Sequence, residues 1–180
     1  MAIEKTFIMI KPDAVRDRKI GEIVTRIERS GLAIERMEMT TLDRPTVGEH
    51  YAHLADKPFF GRLCDFMTSG PVVKMIVSGP SAVAKMRTLM GATNPLDAVP
   101  GTIRGDFAVD VDANVIHGSD CVENGEIEFK RFFGLSASGS SGLLACGMGA
   151  VELHPRRFFM IRPAVCRKAT CDFASVAIKC

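Results

Sequence analysis

Stretches with the two-residue period of a strand alternate with stretches of 3.6-residue helical period through the first 134 residues, and that order limits the folds open to the chain. Thr6-Phe7-Ile8-Met9-Ile10-Lys11 is an apolar run halted by Pro12, a short strand with Lys11 at its rim. Ile20, Ile23, Val24 and Ile27 then recur at i, i+3, i+4 and i+7 among charged residues, the pattern of an amphipathic helix closed by Gly31. Residues 32–42 alternate partially between apolar and charged, as a strand with one buried face does. Pro45-Thr46 opens a helix reaching Leu54 with Thr46 as its cap, and residues 59–67 make a second helical piece after Pro58. Residues 71–77 read as a central strand, and residues 81–90 as a helix with Ser81 as cap and Gly91 as stop. From 91 to 107 the chain is loop-like, and Pro95, Pro100, Gly101 and Gly105 argue for a shaped loop. Val109 and Val111 suggest a short extended segment, and Val122–Phe133 a last helix. The expectation is an α/β sandwich of about four strands with helices on one face.

The balance of charge narrows the function. The 180 residues carry a net charge of +2, without the clustered basic excess of a dedicated nucleic-acid binder. No apolar run approaches the eighteen or so residues of a spanning helix, so no membrane partner is expected. The start, Met1-Ala2-Ile3-Glu4-Lys5, lacks the features of a secretory signal. Of the six cysteines only Cys64 and Cys121 precede residue 135, which fits reduced thiols and a cytoplasmic location better than a disulfide framework.

Chemistry concentrates at Asn114-Val115-Ile116-His117-Gly118-Ser119-Asp120. A histidine can carry protons, bind a metal or act as a nucleophile, and near neutral pH much of it is the uncharged imidazole that attack requires. By itself a lone histidine beside Gly118 and Ser119 is more often a turn or packing residue. Lys11, Arg87 and Arg104, each near the end of an element, could surround a phosphate chain, and arginine can do so bidentately. Thr93, Asn94 and Asn114 offer uncharged hydrogen bonds, and Tyr51, the only tyrosine, could orient a neighbour. Phe59 and Phe60 belong to the core unless one is exposed to stack on a base. Glu128, eleven residues beyond His117, could fold back onto the imidazole or be an ordinary exposed helical residue. There is no G-x-x-x-x-G-K-[ST] loop and no G-x-G-x-x-G fingerprint, which excludes a P-loop kinase.

These stretches together resemble the nucleoside diphosphate kinases. The resemblance runs through residues 1–134 and rests on 114–120, on Thr6 to Val15, on Asn94-Pro95 and on Pro100-Gly101-Thr102-Ile103-Arg104-Gly105-Asp106-Phe107. It implies a ferredoxin-like βαββαβ sandwich with a four-stranded antiparallel sheet, and ping-pong transfer of the γ-phosphate of ATP or another nucleoside triphosphate to nucleoside diphosphates. His117 would be phosphorylated in mid-cycle. Lys11, Arg87, Arg104 and Thr93 would contact phosphates, Lys11 and Asn114 the ribose, and Phe59 and Val111 the base. Tyr51 would border the histidine, while Ser119 and Glu128 would fix its ring. Mg²⁺ would arrive on the nucleotide phosphates without direct protein ligands. A tetramer or hexamer is implied, because the loop from Pro95 to Phe107 makes subunit contacts in the family.

The resemblance stops near Phe133. Residues 1–134 hold 17 Lys and Arg against 19 Asp and Glu, whereas 135–180 hold 6 against 2. The second stretch opens on Leu135-Ser136-Ala137-Ser138-Gly139-Ser140-Ser141-Gly142, a flexible-linker composition, and reads as a C-terminal extension. Two other readings are a docking or membrane-surface element around Arg156 to Arg162, and a metal site from Cys146, Cys166, Cys171 and Cys180. A catalytically silent protein that keeps the fold and uses this tail for partners is the alternative to an enzyme. A histidine phosphatase is a third, weakened by the lack of a paired Arg-His-Gly arrangement.

Overall fold

The computed structural model describes residues 2–134, so the three readings of the 135–180 tail lie outside the described residues. Strand β1 (Ile3–Ile10) leads through the short helix α1 (Pro12–Arg16) into α2 (Ile20–Arg29), which returns the chain to β2 (Ala33–Thr41). Helices α3 (Arg44–His50) and α4 (Phe60–Met67) follow, joined through a single 3-10 turn at Ala52–Leu54. Strand β3 (Pro71–Pro80) and helix α5 (Ala82–Met90) precede a second 3-10 turn at Pro95–Asp97 and the short α6 (Ile103–Phe107). Strand β4 (Ile116–Gly118) and α7 (Val122–Phe133) complete the unit. The sheet order is β2-β3-β1-β4 and every pairing is antiparallel. This is the four-stranded βαββαβ sandwich that the sequence led us to expect.

Helices cover both faces of the sheet, not one. On one side Ile8, Ile10 and Met75 pack with Ile23 and Ile27 of α2 and Met86 of α5. On the other, Phe7, Met9 and Val72 pack with Val47 of α3, Met67 of α4 and Phe129 of α7. The reason was present in β1 and β3, whose residues are buried consecutively and not alternately, as strands enclosed on both faces must be. Only β2, at the edge, alternates. Complete burial of an isoleucine such as Ile23 or Ile27 contributes roughly 1.5–3 kcal/mol.

Local details depart from the expectations in four places. The cap of α3 is Asp43, which accepts from the Thr46 N–H at 2.7 Å, and not the expected Thr46. Ser81 precedes α5 with φ of +53° and makes no side-chain cap, so the polar residue marks the boundary without satisfying it. The stretch 91–107 is not loop throughout: the Thr102 hydroxyl accepts from Gly105 N–H at 3.1 Å and starts α6. Gly105 is required there, since a Cβ would stand 2.3 Å from the Val99 carbonyl oxygen.

The fourth departure concerns the last strand. It is not the Val109–Val111 region but Ile116–Gly118, paired with β1. Val109 and Val111 are exposed, and β-branched side chains without a neighbouring strand carry no ladder. Among the described residues, no helix is long and apolar enough to cross a membrane.

Candidate active site

Strand β4 is three residues long, and the two-residue period decides what each of them meets. Ile116 is fully buried among the aliphatic side chains, so His117 points the opposite way, towards the aromatic layer. The ring lies 6.2 Å from the Phe7 ring centroid, 4.7 Å from that of His50 and 6.4 Å from that of Tyr51. A sharp local bend delivers it. Ile116 N–H donates to Asn114 O at 2.7 Å across Val115, whose φ is +60°. That i to i+2 bond is a γ-turn, and a β-branched residue at positive φ is costly unless its surroundings hold it. They do: Val115 N–H donates to Asp13 Oδ2 at 3.0 Å, and its carbonyl accepts from Lys11 N–H at 2.9 Å.

Glu128 reaches the imidazole from α7. The buried stripe of that helix is Gly125, Glu128, Phe129 and Phe132, so the carboxylate occupies a position that periodicity reserves for an apolar side chain. Gly125 lets the helix approach: its Cβ would lie 3.4 Å from Lys5 O and 3.6 Å from Phe7 N. Glu128 Oε1 is 3.0 Å from His117 Nε2, and Oε2 accepts from the Ser119 hydroxyl. Ser119 is itself anchored to β1, its N–H donating to Phe7 O at 3.0 Å and its Oγ accepting from Phe7 N–H at 3.2 Å. Facing a carboxylate, Nε2 carries the ring proton, which leaves the lone pair on Nδ1. Among the described residues, Nδ1 makes no hydrogen bond.

His117 stands between two cavities. The first, of about 360 Å³, is lined by every substrate-binding candidate of the sequence: Lys11, Tyr51, Phe59, Arg87, Thr93, Arg104, Val111 and Asn114. Lys11 Nζ donates to Asn114 Oδ1 at 2.6 Å, and the Asn114 amide donates to Thr93 O at 3.1 Å, which ties three of them together. Arg104 donates to Gly91 O and Ile116 O, both at 2.9 Å, so it braces the end of α5 against β4 as well as lining the cleft. Phe59 and Val111 are exposed apolar side chains at this cleft, whereas Phe60 packs against the aromatic core. The second cavity, of about 500 Å³, holds the remaining pair, Ser119 and Glu128, with His50 and His117.

Burial tunes the charges. It lowers the Lys11 pKa to about 8, opposed by Asp13, assisted by the Arg104 charge and opposed by Asp112. Arg104 is lowered to about 10 by burial and by Arg87, and stays protonated at neutral pH. Burial, then Glu128, raises the Tyr51 phenol above its ordinary range. His50 is pushed down to about 2 by burial first and then by the charges of His117 and Arg131. It is therefore neutral, and its 3.7 Å approach of Nδ1 to Glu128 Oε1 is neither an ion pair nor a hydrogen bond.

Two residues of the site escaped the sequence reading. Asp13 holds the bend at Val115, and nothing in Lys11-Pro12-Asp13 announces a partner 102 residues away. His50 was legible in principle, because Val47, His50 and Tyr51 form the i, i+3, i+4 buried stripe of α3.

Comparison with known proteins agrees with this architecture. The sequence model described as nucleoside diphosphate kinase matches residues 4–137. A relative of that name from Streptococcus thermophilus strain CNRZ 1066 is 54% identical over 136 residues, covering 73% of this chain and 99% of its own length. One from Archaeoglobus fulgidus is 50% identical over 131 residues, covering 73% of this chain and 87% of its own. Among solved structures, the apo enzyme of Encephalitozoon cuniculi superposes with a TM-score of 0.72 at 45% identity, over 77% of this chain and 94% of that one. The Halobacterium salinarum enzyme in complex with CDP gives 0.71 at 47% identity, over 73% and 88%. The fold and cleft are those of a nucleotide phosphotransferase. The chain belongs to the nucleoside diphosphate kinase family.

Proposed function

We propose that this protein transfers the γ-phosphate of a nucleoside triphosphate to a nucleoside diphosphate in two half-reactions, through a phosphohistidine formed at Nδ1 of His117. The observation that carries the reading is the 3.0 Å contact of Glu128 with Nε2, which leaves the other ring nitrogen with its lone pair. In the first half-reaction that lone pair attacks the γ-phosphorus, a nitrogen–phosphorus bond forms and the bond to the bridging oxygen breaks, releasing the diphosphate. The ring keeps its Nε2 proton and gains positive charge, which the Glu128 carboxylate offsets. In the second, a terminal oxygen of an acceptor diphosphate takes the group back. Lys11, Arg87 and Arg104 face the spreading charge of the transferred group, and positioning plus electrostatics is most of what phosphoryl transfer asks of a protein.

Phe59 and Val111 hold the base by apolar contact, with Asn114 and Lys11 towards the ribose and Thr93 towards the phosphates. Stacking reads no base edge, so specificity is broad, and a structure of one relative in complex with CDP is in keeping with that. Magnesium suits this cleft as a passenger on the nucleotide: the lining offers one carboxylate, Asp112, against three cations. A hard dication that wants about six oxygens finds them on phosphate and water, where it neutralises charge. A cytoplasmic tetramer or hexamer, with residues 1–134 as the catalytic domain and 135–180 as an extension, belongs to the same proposal.

The test is incubation with magnesium ATP labelled in the γ-phosphate. The label is expected on the protein, labile to acid and stable to base, and absent from His117→Ala. Labelling that survives in the variant overturns the assignment. Arg104→Ala is expected to lose more turnover than Arg44→Ala, since Arg44 is exposed and paired with Asp65.

A further inference from the structure

Behind His117, on the side away from Arg87 and Phe59, the second cavity meets a cluster that phosphate transfer does not fully use. His50, His117 and Glu128 each present one ligating atom, and the three lie within 4.8 Å of one another. Two of the separations are 3.0 Å, from His117 Nε2 to Glu128 Oε1, and 3.7 Å, from His50 Nδ1 to the same oxygen. Ligand atoms around a tetrahedral zinc, bonded at roughly 2.0–2.2 Å, stand about 3.4 Å apart, so small side-chain adjustments close the set. His50 supplies an independent sign. Its side chain is 5% exposed, and neither ring nitrogen has a hydrogen-bond partner among the described residues. A buried imidazole with both nitrogens unsatisfied is uncommon without a ligand or water to complete it.

From this geometry we infer that His50, His117 and Glu128 form a binding site for a borderline-soft divalent cation of the zinc type, and that the bound cation shuts off His117. The cavity beyond supplies room for the water that completes the coordination and a route in, flanked by the carboxylates of Glu49 and Asp120. Two imidazoles and one carboxylate select zinc over magnesium, which prefers an all-oxygen octahedral shell. Millimolar magnesium and the nucleotide it rides on therefore leave this site to the softer ion.

The inhibitory half rests on the phosphohistidine proposal and follows from the ring's single proton. With Glu128 as its partner, Nε2 is protonated and Nδ1 has the lone pair. A metal on Nε2 takes the lone pair of that nitrogen, and the proton moves to Nδ1. Glu128 becomes a metal ligand, and the number of protons on the neutral ring is unchanged. The nitrogen facing the γ-phosphate then has a proton where it needed an electron pair. Zinc thus acts as a competitor for the tautomer and not for the nucleotide pocket.

The experiment uses the full-length chain with ¹⁵N-labelled histidine rings, titrated with zinc chloride in the presence and absence of magnesium. One equivalent of zinc is expected to move the ring-nitrogen resonances of both His50 and His117, an equal amount of magnesium to move neither, and phosphoenzyme formation from labelled magnesium ATP to fall with zinc occupancy. His50→Gln is expected to weaken zinc at this site by more than about 100-fold, since even losing an outer-shell partner costs 10–100-fold. Zinc that is taken up while the two rings stay in place, on cysteines for example, overturns the site. Zinc that moves both rings without slowing phosphorylation overturns the inhibition. Movement of both rings in a protein that never forms a phosphoenzyme upholds the site and instead sinks the proposed reaction.

Discussion

Alternate residues of β1 face two unlike layers. Ile8 and Ile10 point into an aliphatic core shared with α2 and α5, where Ile23, Ile27 and Met86 fill space and nothing more. Phe7 and Met9 point into the layer of α3, α4 and α7, where aromatic rings stack around titratable groups: Phe7 on Phe132 at 4.8 Å, and His50 edge-on to Tyr51 at 4.4 Å. The same alternation divides β4 between Ile116 and His117. One layer supplies free energy of folding. The other spends part of its burial on a carboxylate and two imidazoles, which are useful because they are held rigidly away from water.

Substitutions in the two layers should therefore fail in different ways. The largest effect is expected for His117→Ala, which removes the proposed nucleophile and should reduce turnover on the order of 10⁴-fold or more with little change in thermal stability, measured by coupled assay and calorimetry. Loss of stability in place of activity would erase the contrast. Ile27→Ala, in the aliphatic layer, is expected to do the converse: about 2–5 kcal/mol of stability lost by denaturant titration, with turnover per folded molecule kept.

Glu128→Gln tests whether the aromatic layer acts through the ring. Turnover is expected to fall roughly 10–100-fold, as when a carboxylate that orients a functional histidine is removed. KM for the nucleotide should change little, since Glu128 lines the cavity behind His117. A rise in KM alone would make it a pocket residue.

The smallest effect is one of pH. Lys11 has a pKa of about 8 against an ordinary 10.5, so its charge is present below pH 8 and lost above it. kcat/KM should decline as pH rises through about 8. Between about 8 and 10.5 the unfolded chain binds more protons at Lys11 than the folded one, so this group's contribution to stability rises over the same window. Activity and stability are expected to move in opposite directions there, and Lys11→Arg should carry the activity limb to higher pH.

Much of this was legible beforehand. Three of the four strands, the helix Ile20–Arg29 with its apolar stripe, and the charged and polar residues Lys11, Arg87, Thr93, Arg104 and Asn114 of the cleft could be named from periodicity and from the signature around His117. Signals that failed were local ones asked to report distant facts. Val109 and Val111 had strand propensity but no partner strand, and Ser81 had the chemistry of a cap but a left-handed backbone.

By itself the sequence determined which side chains are available and the period on which they recur: an apolar strand ending at Lys11, a histidine after Val115-Ile116, and a glutamate eleven residues beyond it on the last helix. Tertiary structure alone decided what those side chains meet. Asp13 and Val115 are 102 residues apart, His50 and His117 are 67 positions apart in the numbering, and no local rule encodes either meeting. Antiparallel pairing of β4 with β1, and the docking of α3 and α7 on one face of that pair, turned a histidine of ambiguous meaning into a ring with one nitrogen held by Glu128 and the other without a hydrogen bond among the described residues.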